Sequence, residues 1–491
     1  MWGDSGTVPA SRDSTSPTFL IDASDRTMAV DLTRGRRNTS SWKSRSLSRH
    51  VKGGESGAAV PKTRYHAFDA LRGLAMFLVI GLHSALGYIE QEIPGVLWCV
   101  RDAPTIPAFD WFCWWSMGIS NPLYFTIAGF FAVGLYDARG FRAFLENRAR
   151  RVAAPFLVAV VTVLPACLLA WVYGWLISGR CNWRQAVRLK FRDPAIQGER
   201  FGTAHLWFLE YLIVMLVAYA VLRWWYERRR TGEGPGWLVE AAGRLLRSRW
   251  SPFLLALPTT AVLWLGRQRV GIDAALDRHN SFLIDPVKFL HHGSFFLVGL
   301  GLYRLKDDLD RLAHRAPWYL AATVPVFAGR AWLLGWDWVT PWQGPWTVAL
   351  AALGALFSWL AVFGAIGAAQ RLFRQASPAL SYLADSSYWI YLVHMPILGL
   401  IQGDLYLVPG HAIWKMPVAL TLTLAIGLAS YHCLVRYSAI GVGLHGRRLR
   451  PERPAHDLTA SSEAESGPRR DARAAMVTEP TRRRRQAVRG Q

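Results

Sequence analysis

The chain has 491 residues, 52% of them hydrophobic, and a formal net charge of +22. Apolar runs near 20 residues alternate with Arg-rich connectors, which excludes an ordinary soluble domain and predicts an all-α polytopic membrane bundle. The basic balance reflects membrane topology and lipid headgroups rather than nucleic-acid binding, which would require a soluble basic domain with groove- or base-reading motifs.

Residues 1–64 are Ser-, Thr- and Gly-rich and basic, and their composition predicts a disordered tail. They hold no apolar segment, so no cleavable secretory signal is expected, and Met28 is a second candidate start. A membrane domain follows over 65–444, with about ten helices predicted at 67–89, 113–136, 152–177, 205–225, 252–270, 285–303, 317–336, 345–368, 379–403 and 415–437. Arg267 and Arg269 close the fifth run early, and Lys288, His291 and His292 interrupt the sixth. Residues 445–491 are predicted to form a second disordered basic tail, ending near Arg482 to Arg485.

Ten crossings place both termini on one side. Retention of short basic loops in the cytoplasm makes that side the inside, because Arg139 to Arg151, Arg223 to Arg249, Arg304 to Arg315, Arg371 and Arg374 all fall there. The loop carrying Arg180, Arg184, Arg188, Lys190, Arg192 and Arg200 falls outside, against the rule.

The polar residues within the runs are the candidates for chemistry, since ionisable groups at membrane depth usually face a cavity or protein interior. Arg72 and His83 stand eleven residues apart in the first run, almost three whole helical turns, so they share one face at an axial separation of roughly 16 Å. Asp69, three residues before Arg72, either neutralises that arginine or holds it in position. Arg148 and Arg151 share a face before Pro155; paired guanidinium forks suit phosphate oxygens, and headgroup anchoring accounts for them as well. His205 and Glu210 open the fourth run, where an unpaired carboxylate is expensive. Of the adjacent His291 and His292, at most one is expected to face a shared cavity. In the ninth run Asp385 and His394 lie on different faces, and Asp385 with Ser386 fits a helix N-cap. The tryptophan clusters, Trp111, Trp114 and Trp115 and again Trp336, Trp338, Trp342 and Trp346, fit an interfacial belt or a sugar-stacking surface. Cys99, Cys113, Cys167, Cys181 and Cys433 show neither a disulfide framework nor zinc-ligand spacing.

Four segments in order resemble the integral-membrane acyltransferase family 3. Tyr65-His66-Ala67-Phe68-Asp69-Ala70-Leu71-Arg72-Gly73 leading to His83 resembles its opening motif of Arg, ten residues and His. Asn147-Arg148-Ala149-Arg150-Arg151 with Pro155 resembles its second-loop Arg-x-x-Arg motif. His205-Leu206-Trp207-Phe208-Leu209 and Tyr388 to Pro396 are similar to its fourth-run and late-helix signatures, closest to members that succinylate osmoregulated periplasmic glucans. Glu210 departs from that pattern.

The resemblance implies a multi-pass enzyme of the bacterial inner membrane that moves an acyl group from cytoplasmic acyl-coenzyme A to a hydroxyl of an extracytoplasmic carbohydrate, without metal or tightly bound cofactor. It implies His83 as the catalytic group, either as general base or as transient acyl carrier. Arg72, Arg148 and Arg151 would hold the donor, and Asp69, His205, Trp207, Glu210 and His394 would support the site. An acetyltransferase acting on another envelope polysaccharide or lipid-linked glycan fits the same motifs. A proton-coupled transporter or flippase using His83, Glu210 and His394 is the reading of a different class.

Overall fold

The computed structural model describes residues 65–93, 96–199, 201–229, 236–270 and 281–445. The tails expected at 1–64 and 445–491 lie outside them, apart from His445 at the end of the last helix. Among the described residues the structure is helical, with no strand. The helices are α1 (His66–Ala85), α2 (Pro107–Arg148), α3 (Ala154–Ile177), α4 (Trp183–Arg188), α5 (Pro194–Glu199), α6 (Trp207–Arg229), α7 (Gly236–Arg247), α8 (Ser251–Val270), α9 (Pro286–Arg304), α10 (Asp310–Val339), α11 (Pro345–Leu372), α12 (Pro378–Leu407), α13 (Ala412–Ser430) and α14 (Ala439–His445). Single π-turns, Ala149–Ala153 and Tyr431–Val435, precede α3 and follow α13.

Each of the ten apolar runs coincides with a long helix. Proline in the first turn starts α2, α9, α11 and α12, where its missing N–H is not needed. Asp285 caps α9 by accepting from the backbone N–H groups of Val287 and Lys288. The cap of α12 is Ser377, which accepts from Leu380 N, so Asp385 and Ser386 lie inside the helix rather than at its start.

Six stretches are long and apolar enough to cross a membrane: His66–Ala85, Pro107–Ile177, Ala204–Arg229, Pro345–Leu372, Pro378–Leu407 and Ala412–Val435. The chain is therefore an all-α, multi-pass membrane protein. The second stretch is a hairpin: Gly140, at φ 72° and ψ 178°, leaves the helical path. Trp175 near the end of α3 donates from Nε1 to Trp98 O, close to where α2 begins. No atom crowds a Cβ at Gly140, so the positive φ alone requires glycine there. α8, α9 and α10 carry the buried charged residues Arg267, Lys288, Arg330 and Asp337. Arg267 is compensated by a bidentate pair with Asp337 at 2.8 and 2.6 Å, which joins α8 to α10.

The long helices alternate in direction and give the bundle two distinct ends. The starts of α1 and α12 lie at one end with the end of α2, the Ala149–Ala153 turn and the ends of α6, α9 and α11; among the described residues, this end collects most of the arginines. The Leu86–Ile106 segment and Arg180 to Glu199 lie at the other. There Arg180 is paired with Asp193 at 2.8 Å, which offsets part of that loop's unexpected charge.

Parallel helices α2 and α9 approach at backbone contact. A Cβ on Gly299 would strike Thr126 O, and one on Gly129 would strike Phe296 O. Small residues at such crossings let membrane helices pack closely. Gly299→Ala is expected to cost about 1–3 kcal/mol by forcing the helices apart, read as a lower temperature for loss of the monodisperse peak in detergent.

Candidate active site

Helices α1 and α12 run parallel and side by side, so polar groups spaced along one meet matching positions on the other. Arg72 donates from Nη2 to Ala384 O at 3.2 Å. One face-repeat further along, His83 Nδ1 lies 3.0 Å from His394 Nε2, and the ring centroids are 5.1 Å apart. The shared face expected for Arg72 and His83 is thus a contact line against α12.

The local chemistry at His394 follows from the helix it sits in. Its Nδ1 faces two carbonyl oxygens of its own preceding turn, Tyr391 O at 2.7 Å and Ile390 O at 3.2 Å. Carbonyls only accept, so Nδ1 carries the hydrogen and Nε2 of the neutral ring carries the lone pair. His83 Nδ1–H then donates to that lone pair. Pro396, two residues on, lacks the N–H that would bond Leu392 O, and His205 fills the vacancy by donating from Nε2 to that oxygen at 3.0 Å. Tyr391 completes the knot, its hydroxyl donating to His205 O at 2.6 Å. His205 and His394 meet edge to face at 5.1 Å.

α1 ends at Ala85, not near residue 89, which puts His83 in its last turn. The Leu86–Ile106 segment covers that end. Trp98 lies parallel to the His83 ring, with centroids 5.9 Å apart, and donates to Gln402 Oε1 at 2.6 Å. Gln402 in turn donates to Ser84 O at 2.8 Å. A buried ion pair, Lys415 to Asp102 at 2.6 Å, fastens the covering segment to α13. His83 is half-buried, while His394 and Gln402 are fully buried.

The arginine end is built on the first turns of α12. Arg148 donates to Asn147 Oδ1 at 2.6 Å and lies 5.9 Å from the Phe144 ring centroid. Its Nε is buried with no hydrogen-bond partner, as is the nearby Tyr388 hydroxyl. Arg139 and Arg151 are its cationic neighbours. Among the described residues no carboxylate pairs with Arg148 or Arg151. Arg72 meets the same helix one turn earlier than Tyr388, at Ala384, and lies 3.6 Å from Asp69.

The structure therefore brings His83, His394 and His205 together, and sets Arg72 and Arg148 around Ala384 to Tyr388. Trp207 lies elsewhere, its ring 5.1 Å from that of His292. Glu210 has no hydrogen bond or ion pair with His83 or His394, and its Oε2 is buried without a hydrogen-bond partner. His291 and His292 are both buried, each 3% exposed, because α9 is enclosed on two sides: Phe125 stacks on His292 and Phe295 meets His291. Sequence reasoning missed Trp98, Gln402 and the freed Leu392 carbonyl; Pro396 inside an apolar run was the one readable signal for the last.

A family model described as an acyltransferase domain, that of acyltransferase family 3, matches residues 65–432. The chain belongs to this family. It is accordingly a membrane enzyme that transfers acyl groups other than amino-acyl groups. It is 24% identical over 366 residues to proteins named glucans biosynthesis protein C from Salmonella paratyphi B, Salmonella dublin and Salmonella enteritidis PT4, an alignment covering 69% of this chain and 84% of each relative. No solved structure matches. The family region begins at Tyr65 and contains His83, His205, His394, Arg72, Arg148 and Arg151.

Proposed function

We propose that this acyltransferase takes an acyl group from acyl-coenzyme A bound at the arginine end and delivers it to a carbohydrate hydroxyl at His83. The reading rests on one observation above all: Arg72 and the hydrogen-bonded pair His83–His394 lie along the same helix couple, α1 and α12, roughly 16 Å apart along α1, and Arg148 and Arg151, which pair with no carboxylate among the described residues, lie at the Arg72 end. That interval suits an extended pantetheine arm. Arg72, Arg148 and Arg151 hold the donor's phosphates, with Asp69 steadying Arg72. His83 Nε2 accepts the proton of the attacking hydroxyl, the new C–O bond forms at the thioester carbon, and the C–S bond breaks. The proton then passes from His83 to the departing thiolate, leaving an ester and free coenzyme A. His205 and His394 support His83; Trp207 and Glu210 belong to the helix packing beside it.

The names of the relatives favour a glucan acceptor and, with the motif resemblance, a succinyl donor. Retention of basic connectors sets the arginine end in the cytoplasm of the inner membrane and the Leu86–Ile106 cover on the periplasmic side, with both termini inside. The test uses purified protein in nanodiscs with succinyl- or acetyl-coenzyme A and a periplasmic glucan, followed by mass analysis of the glycan. Succinyl ester on the glucan is the expected product. Acetyl ester, or esterification of only another envelope glycan, would move the donor or acceptor assignment. Proton-driven accumulation without any ester would overturn the proposal.

A further inference from the structure

We infer that His394 is a positioning residue that fixes the tautomer of His83, so that Nε2, and not Nδ1, is the basic nitrogen presented to the acceptor hydroxyl. This rests on the reading of His83 as the base. The relay starts in the backbone: Tyr391 O and Ile390 O hold the hydrogen of His394 on Nδ1. His394 is fully buried and, among the described residues, touches no carboxylate; a neutral ring is the form such surroundings accept. Its Nε2 is then an acceptor only. The 3.0 Å contact requires a hydrogen on His83 Nδ1, which leaves the lone pair of His83 on Nε2. When His83 gains the substrate proton, the Nδ1–H bond becomes charge-assisted and strengthens as the charge develops.

The arrangement has a second support. The 3.0 Å hydrogen bond joins the two imidazoles edge to edge, at 25° and with centroids 5.1 Å apart, and Trp98 lies within 12° of parallel to the His83 ring, so both neighbours favour one ring orientation. A cation formed on His83 would also lie within 6 Å of the Trp98 ring, a distance at which the aromatic face is attractive. The contact with His394 selects one of the two tautomers of His83. The wrong one presents an N–H to the hydroxyl and cannot accept its proton.

The test compares full-length variants in nanodiscs, with succinyl- and acetyl-coenzyme A as donors and release of free thiol as the readout. His394→Phe fills the space without accepting a hydrogen bond. It is expected to lower kcat about 30-fold with KM for the donor within about twofold, the pattern of lost tautomer control. His394→Gln sets an amide oxygen near the position of Nε2 and is expected to stay within about fivefold of wild type. A Phe variant with full kcat, or Gln and Phe variants equally impaired, would overturn the inference. If His394→Phe aggregates, His394→Gln against His394→Asn decides: the shorter amide stops near the Nδ1 position, so asparagine retaining as much activity as glutamine would also overturn it. His83→Ala in the same assay separates the two levels. Full activity there removes the base assignment itself, whereas an inactive His83→Ala beside an active His394→Phe removes only the relay.

Discussion

Replacing His83 with alanine is expected to lower kcat about 10³-fold while the protein still inserts and binds its donor, because a positioned general base contributes roughly 10²–10⁴ in rate. The loss falls on kcat because His83 acts on a hydroxyl proton, and the donor's phosphates are assigned to arginines roughly three helical turns away. The fold survives at a modest cost: His83 is half-buried at the end of α1, and its removal leaves His394 Nε2 short of one donor, about 1–3 kcal/mol. The measurement is steady-state transfer in nanodiscs, with equilibrium binding of acyl-coenzyme A as the control. Retained transfer would falsify the base assignment. Retained binding with lost transfer would also separate His83 from the arginine end, which a shared structural defect would not do.

Much of the bundle was legible in the sequence because membrane helices write themselves as apolar runs, and each of the ten runs became a helix. The common face of Arg72 and His83 was legible too, since helical period needs no tertiary information. What lay beyond reach was partnership. His83 meets His394 across 311 positions, and no periodicity in α12 states that it runs parallel to α1 in matched register. The cap of α12 was misread from Asp385 and Ser386, although Ser377-Pro378, a capping residue followed by proline, carried the stronger start signal. The interruption of the fifth and sixth runs, α8 and α9, by polar residues has a physical origin. Arg267 and Asp337, 70 positions apart, cancel their charges in space, and the apolar pattern of either run alone does not state the pairing.

Arg148→Gln is expected to raise KM for acyl-coenzyme A about 10- to 100-fold with kcat within about twofold, the size of one or two lost charge-assisted bonds to phosphate. The expectation comes from how differently the arginines at this end are satisfied. Arg223 pairs with Asp137 at 2.8 Å and with Glu227 at 2.9 Å, so its charge is spent within the fold. Among the described residues Arg148 hydrogen-bonds only the Asn147 amide, sits near Arg139 and Arg151, and keeps a buried Nε and the neighbouring Tyr388 hydroxyl without hydrogen-bond partners. Arg148 and Arg151, which pair with no carboxylate among the described residues, repel one another unless an anion joins them. Headgroup anchoring, the competing account, needs an exposed side chain that reaches the lipid surface; Arg142, almost fully exposed and loosely paired with Glu146, fits that description and Arg148 does not. Arg142→Gln should therefore leave KM unchanged. Added salt should raise KM more steeply in wild type than in Arg148→Gln, because the variant has one charge fewer to screen. An Arg148→Gln enzyme with the wild-type KM and salt dependence would show that the cluster serves topology alone, and would shift the donor to another part of the bundle.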